Sequence, residues 1–71
     1  MSGTTISITI NGEARQLAAG TSLTDLCASL EIDPAKIAIE HNREIAPRGQ
    51  YGAIILSDGD ELEIVHFVGG G

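Results

Sequence analysis

Few residue types in this chain could do chemistry on their own. Cys27 with His41 or His66 offers a thiol and an imidazole, the pairing used in nucleophilic catalysis. Yet Cys27 stands in the series Leu23, Leu26, Cys27, Leu30, spaced i, i+3, i+4 and i+7, where a cysteine acts as a small buried hydrophobe. One cysteine and two histidines are too few, and wrongly spaced, for a zinc site. Asp58, Asp60, Glu61 and Glu63 cluster, but without the ordered ligand spacing of a calcium loop, and are expected to form a solvated turn. The chain has no G-x-x-x-x-G-K-[ST] loop and no strand-to-helix G-x-G-x-x-G. No catalytic residue, no metal ligand and no intrinsic cofactor are therefore expected.

The remaining group is the terminal carboxylate. The chain closes VHFVGGG, and Gly69, Gly70 and Gly71 precede no helix that could bind phosphate. A carboxylate is a poor electrophile, but joined to AMP it carries a good leaving group and accepts a nucleophile such as sulfide, a persulfide or an amine. To reach an adenylating site it must enter a narrow channel, and residues without Cβ let the backbone pass where a side chain would clash. Ordering glycines on binding costs about 1–2 kcal/mol per residue, which weakens the complex and helps the product leave. Gly71 is thus the expected reactive end, with Gly69 and Gly70 threading the partner's channel. If Leu62 and Ile64 face the core, Val65 and Phe67 point the other way, beside the root of this tail. Two readings of that pair stay open: a docking patch, or apolar residues covered by a loop or by the Tyr51 segment.

These groups need a frame. Thr4 to Ile10 alternates Ile6, Ile8 and Ile10 against Thr5, Ser7 and Thr9, the period of a half-buried strand. Asn11-Gly12 suits a type I′ hairpin, so Glu13 to Leu17 should return antiparallel, although its weak alternation leaves its core face unassigned. Ser22-Leu23-Thr24-Asp25 has the form of a capping box and starts a helix, which Asp33-Pro34 should end. Lys36 to His41 reads as a third strand, and Asn42-Arg43 turns it into a short extended piece from Glu44 to Ala46, stopped by Pro47. Gly49 to Gly52 is loop-like, and Ile54 to Leu56 is too short an apolar run to assign. Asp58-Gly59-Asp60 is a tight turn before a last strand, Leu62 to Val68.

Composition narrows the classes of function. Seventy-one residues with 42% hydrophobic content leave room for one modest core, and Tyr51 and Phe67 are the only aromatics. A deep cavity for a large cofactor would consume most of that core. Ten acidic residues against four basic ones, a formal charge of -6, would repel a phosphate backbone, so no nucleic acid partner is expected; a protein with a basic face is. A lone cysteine excludes an internal disulfide, and neither a signal peptide nor a run of about 20 apolar residues is present, so no membrane association and a cytoplasmic location are expected.

Hairpin, helix, then two or three strands make an α+β domain. One amphipathic helix across a mixed sheet of four to five strands buries both apolar faces, in the element order of the β-grasp, or ubiquitin-like, fold. The expected division is a domain over residues 1–68 and a flexible glycine tail over 69–71.

Over essentially its full length the chain resembles the ThiS family, the sulfur carriers of thiamine biosynthesis. The resemblance rests on ITINGE, TSLTDLCASL, IAIEHNREIAPRGQY, LSDGDELEIVHFV and the terminal Gly70-Gly71. A terminal diglycine is shared with other ubiquitin-like proteins; the run from Asn42 to Arg48 and the DGD turn narrow the choice. The resemblance implies a carrier that is a protein co-substrate and not an enzyme. Its carboxylate on Gly71 would be adenylated with ATP by an E1-like adenylyltransferase (ThiF-like), then converted to a thiocarboxylate with sulfur from a donor protein. That sulfur would pass to a thiazole synthase (ThiG-like). The alternatives are a carrier for molybdopterin or another sulfur-transfer pathway, a ubiquitin-like modifier conjugated to lysines, or an interaction module with an inert tail.

Overall fold

In a computed structural model the described residues are 4–67. They form strands β1 (Thr5–Ile10) and β2 (Glu13–Ala18), helix α1 (Leu23–Ser29), and strands β3 (Ile37–His41), β4 (Glu44–Ile45) and β5 (Glu61–His66). Two 3₁₀ turns, Pro34–Lys36 and Arg48–Gln50, flank β3 and follow β4. The sheet order is β2-β1-β5-β3-β4, with β1 and β5 parallel and every other pair antiparallel. This is a ubiquitin-like β-grasp, a five-stranded mixed sheet with one helix packed on it.

The strand periods decide which face is covered. Ile6, Ile8 and Ile10 of β1, Ile37 and Ile39 of β3, and Leu62 and Ile64 of β5 all turn inward. They meet Leu23, Leu26 and Cys27 of α1, together with Ala46, Tyr51 and Leu56. Register settles the face of β2: Ile6, Ile8 and Ile10 stand opposite Leu17, Arg15 and Glu13. Only Leu17 is partly buried against the core, and Glu13 and Arg15 remain exposed. The two-residue turn is as expected, with Asn11 at φ 51° and Gly12 at φ 85°, the left-handed pair a type I′ hairpin requires.

The start of α1 is fully accounted for. Ser22 Oγ accepts from the Asp25 N–H (3.0 Å), Asp25 Oδ2 accepts from the Ser22 N–H (3.4 Å), and the Ser22 carbonyl takes the Leu26 N–H. The other two free donors, Leu23 N–H and Thr24 N–H, reach the carbonyls of Ile54 and Tyr51. The unassigned run from Ile54 to Leu56 is thereby explained: it lies along the helix start, with Ile55 bridged to Ser22.

The helix end differs from expectation. Proline does not stop it; α1 closes four residues earlier, at Leu30, because Glu31 takes φ 59°. The Ile32 N–H then reaches the Cys27 carbonyl and the Glu31 N–H the Ala28 carbonyl, which is a Schellman closure, and Ile32 packs back on the core. Asp33-Pro34 instead starts the first 3₁₀ turn, Asp33 accepting from the Ala35 N–H.

Candidate functional site

The chain reaches its last described residue along β5, whose position is held from both sides. On one side β3 pairs with it from His41↔Leu62 to Ile37↔His66, and the Phe67 N–H continues the ladder to the Lys36 carbonyl (3.0 Å). On the other side the backbone pairing with β1 covers only Thr9↔Glu61 and Ile10↔Leu62. Two side chains lengthen it. Asp58 Oδ1 accepts from the Ser7 N–H (2.7 Å), and the Asn11 amide pairs with both backbone groups of Ile64.

Arg48 secures the neighbouring turn. Its Nε donates to the Pro34 carbonyl (3.0 Å) and an Nη to the Ile37 carbonyl (2.8 Å), occupying the stretch of β3 edge that the short β4 leaves open. Both carbonyls flank Lys36, which accepts the last ladder bond to Phe67. The run from Asn42 to Arg48 is thus a brace for the end of β5.

A second brace holds the start of that strand. Asp60 is buried and accepts from the Ser57 N–H (2.8 Å), His41 Nε2 (2.8 Å) and Asn42 Nδ2 (3.0 Å), while Asn42 Oδ1 accepts from the Glu61 N–H (2.8 Å). Burial alone would raise the Asp60 carboxyl, but the bonds from Ser57, His41 and Asn42 and the charge of His41 outweigh it and hold the group below its ordinary value. The expected solvated acidic turn is therefore corrected in part: Asp60 is a buried structural acceptor, whereas Asp58, Glu61 and Glu63 stand exposed, Asp58 also accepting from the Ser7 N–H. The signal was unreadable locally, because the side-chain donors to Asp60 come from 18 and 19 residues away.

Cys27 is buried and burial pushes its thiol up, the opposite of an activated nucleophile. Among the described residues it shares no hydrogen bond with His41 or His66, so no thiol and imidazole pair is brought together. Val65 and Phe67 are 58% and 57% exposed, and neither a loop nor Tyr51, itself buried on the core side, covers them. Ile45 is 67% exposed, and register puts it on the same face: it stands beside Glu40, and Ala38 beside Val65. A two-residue strand has too little alternation to have revealed Ile45 in advance. Gly69, Gly70 and Gly71 lie outside the described residues, as does Val68.

The ThiS family model matches residues 8–71. The chain belongs to the ThiS family. The sulfur carrier protein ThiS of Escherichia coli (strain K12) is 34% identical over 64 residues, 90% of this chain and 97% of that protein. The crystal structure of a ThiS from Geobacter metallireducens superposes with a TM-score of 0.80 at 29% identity, covering 93% of this chain and all of the other. A thiazole synthase of Magnetococcus marinus is 45% identical over 64 residues, 90% of this chain but only 20% of that protein. The chain spans about a fifth of the length of the thiazole synthases it matches. No helix among the described residues is long and apolar enough to cross a membrane.

Proposed function

We propose that this chain is a sulfur carrier of thiamine biosynthesis whose terminal carboxylate, on Gly71, is the group that reacts. A partner adenylyltransferase joins a carboxylate oxygen to the α-phosphorus of ATP and releases pyrophosphate. A sulfide equivalent from a donor protein then attacks the acyl carbon and AMP departs with the oxygen, leaving a thiocarboxylate. A thiazole synthase takes the sulfur from it. Gly69 and Gly70 pass through the partner's channel, and Val65 and Phe67 contact the partner at the root of the tail. ATP and any metal belong to the partner; the carrier is a co-substrate and contributes no turnover.

Membership of the ThiS family over residues 8–71 carries this reading. The fold supports it: β5 is held by β3 up to Phe67 and through Asn11 up to Ile64, while the Cys27 thiol is buried and His41 is bonded to Asp60.

The test is intact-mass measurement after incubation with the cognate adenylyltransferase, ATP and a sulfur donor. A gain equal to the difference between sulfur and oxygen, localised to Gly71, is the expected result. An unchanged mass where a known carrier is converted would overturn it, and adducts on lysines of other proteins would point to a modifier. A carrier for molybdopterin predicts the same mass change, so the pathway is read from which loss, thiazole synthesis or molybdoenzyme activity, follows deletion.

A further inference from the structure

The two edges of the sheet are finished differently. At one, β4 is only two residues long, and Arg48 occupies the β3 edge beside it through the Pro34 and Ile37 carbonyls. At the other, β2 runs six residues with no proline and no bulge, its register with β1 unbroken from Thr5↔Ala18 to Ile10↔Glu13. Edge strands are ordinarily short, bulged or interrupted, because a straight one offers its free backbone groups to another strand.

Those free groups can be assigned. Along an antiparallel pair, successive residues turn their N–H and C=O alternately towards the neighbouring strand and away from it. The Ala19 N–H bonds to the Thr4 carbonyl at 2.8 Å, so Leu17, Arg15 and Glu13 also turn to β1, and Ala14, Gln16 and Ala18 turn outward. The far side of β1 agrees, since the N–H groups of Ser7, Thr9 and Asn11 go to Asp58, Asp60 and Leu62. The Ala18 carbonyl is already taken by the Thr21 N–H (3.3 Å) and the Thr21 hydroxyl (2.7 Å). Ala14 and Gln16 are left with donor and acceptor both facing solvent.

Charge selects what fits this edge. Glu13 and Arg15 are exposed, lie on the helix side of β2 opposite Ile10 and Ile8, and belong to no ion pair among the described residues. An antiparallel strand that satisfies both must read acidic-x-basic, and in this chain that triplet occurs only at Glu13-Ala14-Arg15 itself.

We infer that β2 pairs antiparallel with β2 of a second copy of the chain, about a two-fold axis at Ala14. The two Ala14 residues exchange both backbone bonds, and Gln16 of each copy stands against Gly12 of the other. Glu13 of each copy then faces Arg15 of the other. These two ion pairs fall at non-hydrogen-bonded positions, where facing side chains are closest. The competing registers fail for stated reasons. An axis at Arg15 sets the two guanidinium groups against each other, and an axis at Gln16 or Leu17 needs the Ala18 carbonyl that Thr21 holds.

The product is a ten-stranded sheet with both helices on one side. Two strands, β1 and β2, separate each β5 from the axis, so the two β5 strands run in opposite directions about 24 Å apart, five strand spacings. The net charge of -6 on each copy opposes association, so the dimer is weak and forms at high concentration. The pairing is independent of whether Gly71 carries sulfur.

The experiment is sedimentation equilibrium of the 71-residue chain up to the millimolar range. Wild type is expected to show a reversible monomer–dimer equilibrium. Arg15→Glu and Glu13→Arg each turn two attractions into two repulsions, and each should weaken self-association by about tenfold or more. An equimolar mixture of the two variants restores both ion pairs and should dimerise as wild type does, although each variant keeps a net negative charge. Ala14→Pro removes an N–H that the dimer uses and β1 does not, and should abolish the dimer; its unfolding midpoint records any change in the fold, and it keeps the test open if a charge variant does not fold.

A wild-type chain that stays monomeric throughout overturns the inference. So does a dimer that survives in both charge variants or in folded Ala14→Pro, since another surface would then join the copies. Charge variants that are monomeric alone and remain so when mixed overturn the axis at Ala14.

Discussion

The side-chain amide of Asn11 pairs with both backbone groups of Ile64, accepting from its N–H at 2.9 Å and donating to its carbonyl at 3.2 Å. The parallel backbone pairing of β1 and β5 stops at Leu62, whose carbonyl takes the Asn11 N–H. Past that point Asn11 imitates one more residue of strand. The same residue supplies the left-handed turn of the first hairpin, so one short polar side chain closes β1 and extends the hold on β5 towards the tail.

Asn11→Gly separates these two roles, because glycine keeps the positive φ and removes both bonds. The expected loss is about 1–3 kcal/mol, from two hydrogen bonds of ordinary net worth. Hydrogen exchange at the Ile64 amide should accelerate by more than the global loss accounts for. An Ile64 amide protected as before would show that the pairing contributes nothing to the end of β5.

Asp60 makes stability depend on acid. Its carboxyl is held below the ordinary value in the folded protein, so the unfolded chain takes up the proton first as pH falls. The contribution is therefore whole above the unfolded value of about 4 and disappears as pH drops through the lower folded one. Asp60→Asn should be less stable than wild type at neutral pH, and the gap in urea midpoints should narrow as pH falls below about 4. A gap that stays constant with pH would mean the stabilisation comes from shape alone.

Which features could be read in advance follows from how local their causes are. The alternation of Ile6, Ile8 and Ile10, the Asn11-Gly12 turn, the Ser22 and Asp25 capping pair and the Leu23, Leu26, Cys27 stripe each act within a few residues, and each is in place. The helix end was misplaced because its stop is Glu31 in a left-handed conformation that glycine or asparagine ordinarily announces. The side-chain donors to Asp60, the Arg48 clamp on Pro34 and Ile37, and the position of Ile45 beside Glu40 arise from chain segments brought together only by the sheet. Of the candidate site, the face of Val65 and Phe67 came from strand parity, which is local, but their exposure turned on whether a distant segment covers them. Ile45, on the same face, required the register.

Glu31 gives a direct check on the helix closure. A non-glycine residue at φ 59° carries a steric cost of about 1 kcal/mol, and an acidic side chain just past a helix C-terminus adds unfavourable interaction with the helix dipole. Glu31→Gly should raise stability by about 0.5–1 kcal/mol after the greater freedom of the unfolded chain is subtracted. Glu31→Gln, which relieves the charge and keeps the backbone cost, should recover only a fraction of that gain. Equal effects in denaturant titrations would assign the whole cost to charge.

Gly70→Val tests why the chain closes in glycines. If a narrow channel must admit the backbone, a β-branched side chain one residue from the reacting carboxylate should abolish adenylation, read as loss of ATP-dependent pyrophosphate release and of the mass gain on Gly71. The core of the described residues runs from Ile6 to Ile64, and the thermal midpoint is expected to stay where it is. Gly69→Val, one residue farther from the carboxylate, should be less severe if the constriction lies at the reacting end. A Gly70→Val chain that is adenylated at the wild-type rate would remove the steric reason for the glycines and leave only their flexibility.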